Sequence, residues 1–285
     1  MSFIAPPPLP DIVLDPIVRL ALAEDLGRAG DLTTDATIAP GTQLTAHIRA
    51  RQAGRLAGMD AATYALKLID PDVTLDVHKS DGDELAPGDT VAIMQGAARS
   101  ILIAERTMLN FLGRLSGIAS LTAQFADRMV HTKAKIVCTR KTTPGHRAVE
   151  KRAVRCGGGT SHRYGLDDAI LIKDNHIAAC GSIAEALQRA HAYAGHLRMI
   201  EIEVDSLDQL AEALPHNPHA VLLDNMEPDL LRQAVALIDG QCLAEASGGI
   251  TLETVAAKAE TGVDYISSGA LTHSALNLDL GLDIL

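Results

Sequence analysis

The stretch from Thr139 to Gly165, TRKTTPGHRAVEKRAVRCGGGTSHRYG, holds seven Lys or Arg, two His and one Glu in a chain of formal charge −11. A dense cationic field inside an acidic protein suits a small, highly anionic ligand. Arg140 and Lys141 precede Pro144-Gly145, and His162 and Arg163 follow Gly157-Gly158-Gly159, where the backbone can approach a ligand closely. Arginine grips a carboxylate or phosphate through two parallel hydrogen bonds, whereas lysine acts as a point charge. With Lys173 these residues form a candidate anion site. Arg147, Lys151, Arg152 and Arg155 fall on a predicted helix. For the last three a solvated face is at least as good a reading as ligand contact.

Carboxylates and small-residue loops add to this set. In MIEIEV, Ile200, Ile202 and Val204 share one strand face, and Glu201 and Glu203 share the other. Glu203, nearer the C-terminal end, and Asp224, closing AVLLD, suit Mg²⁺, which takes one or two carboxylates plus phosphate oxygens and water. The competing reading is an ion pair with Lys173 or Arg140. EASGGI and SSGAL each place small residues between a strand and a helix, where main-chain N–H groups can bind phosphate. His176 and His273 are read first as hydrogen-bonded structural residues, with ligand contact as the alternative. No Ser/His/Asp set and no G-x-S-x-G occurs, so a covalent nucleophile is not indicated.

The elements that must position these groups are short strands alternating with helices. From residue 135 onward, KIVCT, AILIK, MIEIEV, AVLLD, CLAEAS and DYISSG read as strands, with helices near 147–155, 182–194, 207–214, 228–238 and 252–261. Repeated βα units imply a parallel sheet of barrel type, short of eight strands. All six strands end in polar or small residues, and such ends carry the chemistry of βα barrels. The earlier half reads as α+β. It has a helix opening at Asp15-Pro16, a strand at 44–52, a helix at 57–69, strands near 73–78 and 91–95, and a long helical region over about 97–130 interrupted at Ser116-Gly117.

Composition bounds the class. Of 285 residues 47% are hydrophobic and only 2% aromatic, so the core must be Leu, Ile, Val and Ala. That suits buried strands under Ala/Leu-rich helices. MSFIAPPPLP lacks a basic n-region and an apolar run, and reads as a floppy arm rather than a secretory signal. No apolar run approaches the ~18 residues that span a membrane. A cytoplasmic location is expected. Cys138, Cys156, Cys180 and Cys242 form no C-x-x-C pair and are expected to be buried, reduced thiols.

The motifs EDLGRAGDLTT, ERTMLNFLGRLSGIA, TRKTTPGHRAVEKRAVRCGGGTSHRYGL, LIKDNHI, EVDSLDQL, LLDNM, EASGGI and GVDYISSGALTHS occur in this order along nearly the whole chain. In that series the chain resembles the quinolinate phosphoribosyltransferase (decarboxylating) family. The resemblance implies an N-terminal α/β sandwich-type domain, residues 1–113 with a tail at 274–285. It also implies a C-terminal open α/β barrel of six or seven strands at 114–273. The implied reaction joins quinolinate to the ribose of phosphoribosyl pyrophosphate and releases pyrophosphate and CO₂, with Mg²⁺ and no organic cofactor. It further implies a homodimer or dimer-based oligomer in which Arg106 reaches the neighbouring subunit's site. Thr139, Arg140, Lys141, His162, Arg163 and Lys173 would hold the two substrates. Glu203 and Asp224 would contact the ribose hydroxyls and Mg²⁺, and Lys141, Glu203 and Asp224 would serve the chemistry. Ser247, Gly248, Gly249, Ser268, Gly269 and Ala270 would line the 5-phosphate site. His146 and Arg152 depart from the apolar or aromatic residues expected there, at the pocket edge.

Rival readings are a molybdenum-transport-associated paralogue, a nicotinate-specific transferase, a nucleic-acid binder and a purely structural barrel. The intact TRKTTPG and HR segments favour the dicarboxylate. The acidic chain with few aromatics disfavours nucleic acid. A structural barrel has no need of six polar strand ends.

Overall fold

The computed structural model describes residues 5–284, and Met1–Ile4 of the expected arm lie outside them. The elements follow in the order α1 (Asp11–Leu26), α2 (Leu32–Thr37), β1 (Gln43–Ala50), β2 (Gly54–Arg55), α3 (Met59–Ile69), β3 (Thr74–Val77), β4 (Glu84–Leu85), β5 (Thr90–Ala97) and α4 (Ala98–Met129). Then come β6 (Lys135–Val137), α5 (Arg147–Cys156), β7 (Ile170–Ile172), α6 (Asp174–Cys180), α7 (Ile183–Tyr193), β8 (Ile200–Val204) and α8 (Leu207–Ala213). The chain ends with β9 (Ala220–Asp224), α9 (Pro228–Ile238), β10 (Leu243–Ser247), α10 (Val255–Ala259), β11 (Tyr265–Ser267), α11 (Ala270–His273) and β12 (Leu280–Ile284). Two compact units result. The first takes the described residues of Met1–Ala123, Thr143–Gly158 and Ser274–Leu285, and the second takes Gln124–Thr142 and Gly159–His273.

The first unit is an α/β sandwich. Its antiparallel sheet has the order β12-β1-β5-β3, and the C-terminal strand β12 pairs with β1 in the register Ile48↔Leu282. Helix α1 buries Leu14, Val18 and Leu22, each worth about 1.5–3 kcal/mol when taken fully from water. It starts at Asp11, four residues before the expected Asp15-Pro16, and carries Pro16 inside it. Asp15 does not cap the helix. It accepts hydrogen bonds from Tyr64 Oη at 2.6 Å and Arg19 Nε at 2.7 Å.

Helix α4 runs unbroken through Ser116-Gly117, where the sequence predicts an interruption. The small side chains serve packing. Ser116 Oγ accepts the Ala57 N–H at 3.0 Å, and a Cβ on Gly117 would lie 1.9 Å from the Leu276 carbonyl oxygen.

The solvated-face reading of α5 fails for two residues. Lys151 and Arg152 are buried, and only Arg155 is exposed. Arg152 pairs with Asp81 and, at 3.3 Å, with Asp60. Its guanidinium also donates to the Pro7 and Pro6 carbonyls, while Leu9 N–H donates to Asp60. Residues 6–9 are thereby pinned, so that part of the expected arm is not floppy. His146 stacks on Phe111 with ring centroids 6.3 Å apart. Both unexpected residues thus have structural partners in the first unit.

The second unit is a six-stranded, wholly parallel sheet of barrel type, in the order β6-β11-β10-β9-β8-β7 with β6 and β7 at its edges. Every strand coincides with an expected one to within about two residues. Buried Ile136, Ile202, Val221, Leu223, Ala246 and Ile266 give it the near-continuous apolar strands that layered α/β packing needs. Helix α6 was not expected. It begins directly after Lys173, whose N–H donates to His176 Nδ1 at 2.9 Å, and ends at the left-handed Gly181. Cys138 and Cys156 are buried, but Cys180 and Cys242 are only half-buried. Burial pushes the Cys156 thiol up to about 12, which leaves it inert.

Candidate active site

Parallel register decides which side chains meet. Glu203 is level with Leu222, Leu222 with Glu245, and Asp224 with Ser247. Partners in register share a face, and successive residues alternate. Thr139, Lys173, Glu203, Asp224, Ser247 and Ser267 therefore all reach one cavity of about 780 Å³ at the C-terminal ends of the strands. Its wall also includes Arg140, Lys141, His162, Arg163, Gly248, Gly249, Ser268, Gly269 and Ala270. Every residue proposed from the sequence within this unit lines it. Arg106, exposed on α4, belongs to the other unit.

The cations are arranged by their loops. Lys141 N–H donates to Thr139 Oγ1 at 3.0 Å, and its carbonyl accepts Thr272 Oγ1 at 2.7 Å. The Lys141 chain passes close to Gly269, where an added Cβ would come within 2.9 Å of Cδ. Arg163 donates to the Ala169 carbonyl at 3.2 Å. Burial, and then the like charge of Arg140, holds Arg163 below the usual guanidinium value. Two guanidinium groups in each other's field gain from an anion between them.

The ion pair that the sequence offered as an alternative is formed. Lys173 Nζ donates to Glu203 Oε2 at 2.5 Å, with Lys173 exposed and Glu203 half-buried. Asp224 Oδ2 accepts Asn225 Nδ2 at 2.7 Å. Glu203 and Asp224 supply only oxygen donors, the set that a hard divalent cation takes alongside water and phosphate oxygens.

A second acidic group was missed by sequence reading. His162 Nε2 lies 3.0 Å from Glu201 Oε2 and 3.6 Å from Glu245 Oε1. The residue types resemble a metal-ligand triad, and among the described residues this is the one group of three or more such side chains. The tautomer argues otherwise. Arg163 N–H donates to His162 Nδ1 at 2.8 Å, so Nδ1 is an acceptor and Nε2 carries the proton given to Glu201. A metal-ligating histidine presents a bare nitrogen and donates from the other. His162 therefore braces the Arg163 main chain from below. Burial, then the neighbouring Glu201, pushes Glu245 up to about 7, partly offset by His162. No local spacing connects positions 162, 201 and 245, and only the sheet register assembles them.

The small-residue loops form the wall at the ends of β10 and β11. Gly248 has φ +83°, and a Cβ there would sit 2.1 Å from Asn225 Oδ1, so only glycine fits. The N–H groups of Gly248 and Gly249 make no hydrogen bond among the described residues, which leaves two donors for an anion. His273 lines the cavity, whereas His176 serves the start of α6. Leu171, Leu222 and Ile250 supply apolar wall that charge-based reading does not detect.

The chain matches the family models described as quinolinate phosphoribosyl transferase, N-terminal domain, over residues 31–116 and C-terminal domain over residues 118–283. It is 46% identical to a nicotinate-nucleotide pyrophosphorylase [carboxylating] from Mycobacterium leprae, over 94% of this chain and 95% of that protein. It is 41% identical to a mitochondrial quinolinate phosphoribosyltransferase [decarboxylating] from Nicotiana tabacum, over 99% of this chain and 85% of that one. The solved structure of the nicotinate-nucleotide pyrophosphorylase from Francisella tularensis superposes with a TM-score of 0.93 at 38% identity. That match covers 97% of this chain and 98% of the other.

Proposed function

The chain belongs to the quinolinate phosphoribosyltransferase family, and on that premise we propose that the cavity of its parallel sheet is the site of the family reaction. The enzyme transfers the phosphoribosyl group of phosphoribosyl pyrophosphate to quinolinate with decarboxylation, giving nicotinate mononucleotide, CO₂ and pyrophosphate. One observation carries the assignment of the site: a cavity walled by Arg140, Lys141, Arg163 and Lys173 faces loops of Ser and Gly with unused N–H donors. Both substrates are polyanions. Charge-assisted pairs shielded from water hold them more tightly than surface pairs would.

The mechanism needs little from a base. The pyridine nitrogen is an unprotonated nucleophile near neutral pH. Its lone pair forms the bond to ribose C1 as the bond from C1 to the pyrophosphate oxygen breaks, and that electron pair leaves with pyrophosphate. The ribose becomes oxocarbenium-like, and Glu203 or Asp224 stabilises it. Lys141 and its neighbours take up the charge gathering on pyrophosphate. The C2–carboxylate bond then breaks, and its electron pair stays on C2, beside the cationic ring nitrogen, until a proton is taken up. Arg140 and Arg163 orient the two carboxylates, and positioning with electrostatics supplies most of the acceleration.

Mg²⁺ would be held by Glu203 and Asp224 together with substrate oxygens, where it would neutralise charge on the leaving group. A cytoplasmic setting and a dimer belong to the same proposal, with Arg106 completing the site of a second copy. That dimer makes the test sharp. Arg140→Ala and Arg106→Ala should each lose on the order of 100-fold or more in kcat/KM, since an anionic group of the bound substrate loses its charged hydrogen-bond partner. Mixed and allowed to exchange subunits, the two variants should regain roughly a quarter of wild-type activity, from the one intact site in each mixed dimer. Near-normal rates in Arg140→Ala would remove that residue from the site, and no recovery on mixing would remove Arg106 from its place across the dimer.

A further inference from the structure

Lys258 is a buried cation that the reaction as described does not use. It lies on α10, the helix that follows the Ser247-Gly248-Gly249 loop, and is only 4% exposed. A buried ammonium carries a large desolvation penalty unless something compensates it. Here its partners are two main-chain oxygens. Nζ donates to the Met226 carbonyl at 2.9 Å and to the Gly248 carbonyl at 3.4 Å. No carboxylate pairs with it among the described residues. With carbonyls alone as partners, no neighbouring carboxylate offsets its charge toward an anion that comes near.

The two carbonyls belong to different strand ends. Met226 follows β9 and its Asp224-Asn225 pair, and Gly248 follows β10. The two loops already touch. Asn225 N–H donates to the Ser247 carbonyl at 2.9 Å, and the Asn225 side chain fills the space beside Gly248. Lys258 ties them from beneath. By drawing the Gly248 carbonyl toward itself it turns the N–H of the same peptide plane, that of Gly249, the opposite way, and the Asn225 N–H does the same for Gly248 by holding the Ser247 carbonyl.

Charge distribution gives the second argument. The cationic side chains of the cavity come after β6, from the loop at 162–163 and after β7. The ends of β9 and β10 contribute Asp224, Asn225, Ser247, Gly248 and Gly249, with no cation and one acid. An anion bound there would face Asp224 with uncharged donors alone from these two strand ends. The ammonium of Lys258, directly behind Gly248, supplies the missing positive charge at a distance where the low interior dielectric screens it weakly.

We propose that Lys258 is a positioning residue for the phosphate of the phosphoribosyl donor, which holds the Gly248 loop in its anion-binding form and adds a fixed positive charge behind it. This rests on the reading of the cavity given above. Lys258 lies behind the Gly248 loop and away from the loops that carry Arg140 and Arg163, so its effect falls on the phosphoribosyl donor and not on quinolinate.

The test compares Lys258→Met with the wild type in steady-state kinetics and thermal unfolding. Methionine keeps the stem but leaves the Met226 and Gly248 carbonyls without their donor, so the midpoint should fall. The KM for phosphoribosyl pyrophosphate should increase about tenfold or more, while the KM for quinolinate stays within about twofold. Lys258→Gln, which keeps a donor but no charge, should fall between. Should Lys258→Met fail to fold, Lys258→Gln carries the same measurement with the same criteria. An unchanged KM for the donor in a folded variant overturns the proposal. So does a rise in both KM values together, which marks a merely structural role. A wild type without turnover would overturn the reading of the cavity and this inference with it. Wild-type turnover beside an unaffected variant overturns the inference alone.

Discussion

At the scale of single residues, the chemistry of the site depends on how buried charge is arranged. Glu245 shows this most directly, because burial and the adjacent Glu201 raise it from 4.5 to about 7. A carboxyl group whose folded-state value is raised binds its proton more tightly folded than unfolded. Stability is then highest below the unfolded value and falls as pH rises from about 4.5 to about 7. Glu245→Gln removes that titration. Its advantage over the wild type in thermal midpoint should grow across this window and level off above it, to a limit of about 3 kcal/mol. Parallel midpoint-against-pH curves for the two proteins would refute the shift. The cations after β6 and β7 were legible in the sequence, because a strand followed by charged residues is a local signal. Glu245 and Lys258 were not. Each is set in its role by a neighbour that only the sheet register or the loop crossing brings near.

At the scale of elements, the six parallel strands were readable from their apolar runs, and their order in the sheet was not. The failures were local conflicts settled by tertiary packing. Ser116-Gly117 carries the residues of a helix break, yet α4 passes through, because a hydroxyl and a bare Cα are what close contacts at that point require. Pro16 looks like a helix start and sits inside α1, since Asp15 binds Tyr64 and Arg19 instead of capping. Lys151 and Arg152 have the spacing of a wet helix face, but Asp60 and Asp81 draw Arg152 inward. The contact at Gly117 can be tested. Gly117→Ala would place a methyl 1.9 Å from the Leu276 oxygen, a backbone atom that cannot swing aside. It should cost roughly 1–3 kcal/mol in chemical denaturation. A loss below about 0.5 kcal/mol would mean that the 274–285 segment does not pack on α4 as described.

At the scale of the whole molecule, a chain of charge −11 gathers Arg140, Lys141, Arg163 and Lys173 around one cavity. That arrangement disfavours nonspecific polyanions while drawing small ones to the strand ends. The N-terminal half and the last strand build one antiparallel sheet, a pairing too distant in sequence for periodicity to announce. The reaction was legible because the motifs recur as a family series; the cooperation of its parts was not. The most direct measurement mixes the purified protein with quinolinate, phosphoribosyl pyrophosphate and Mg²⁺ and follows nicotinate mononucleotide, pyrophosphate and CO₂ together, with nicotinate as the control acceptor. Equal amounts of the three products from quinolinate, and none from nicotinate, are the predicted result. Turnover of nicotinate at a comparable rate, or none with quinolinate, would contradict the assignment of the cationic cavity as a dicarboxylate site.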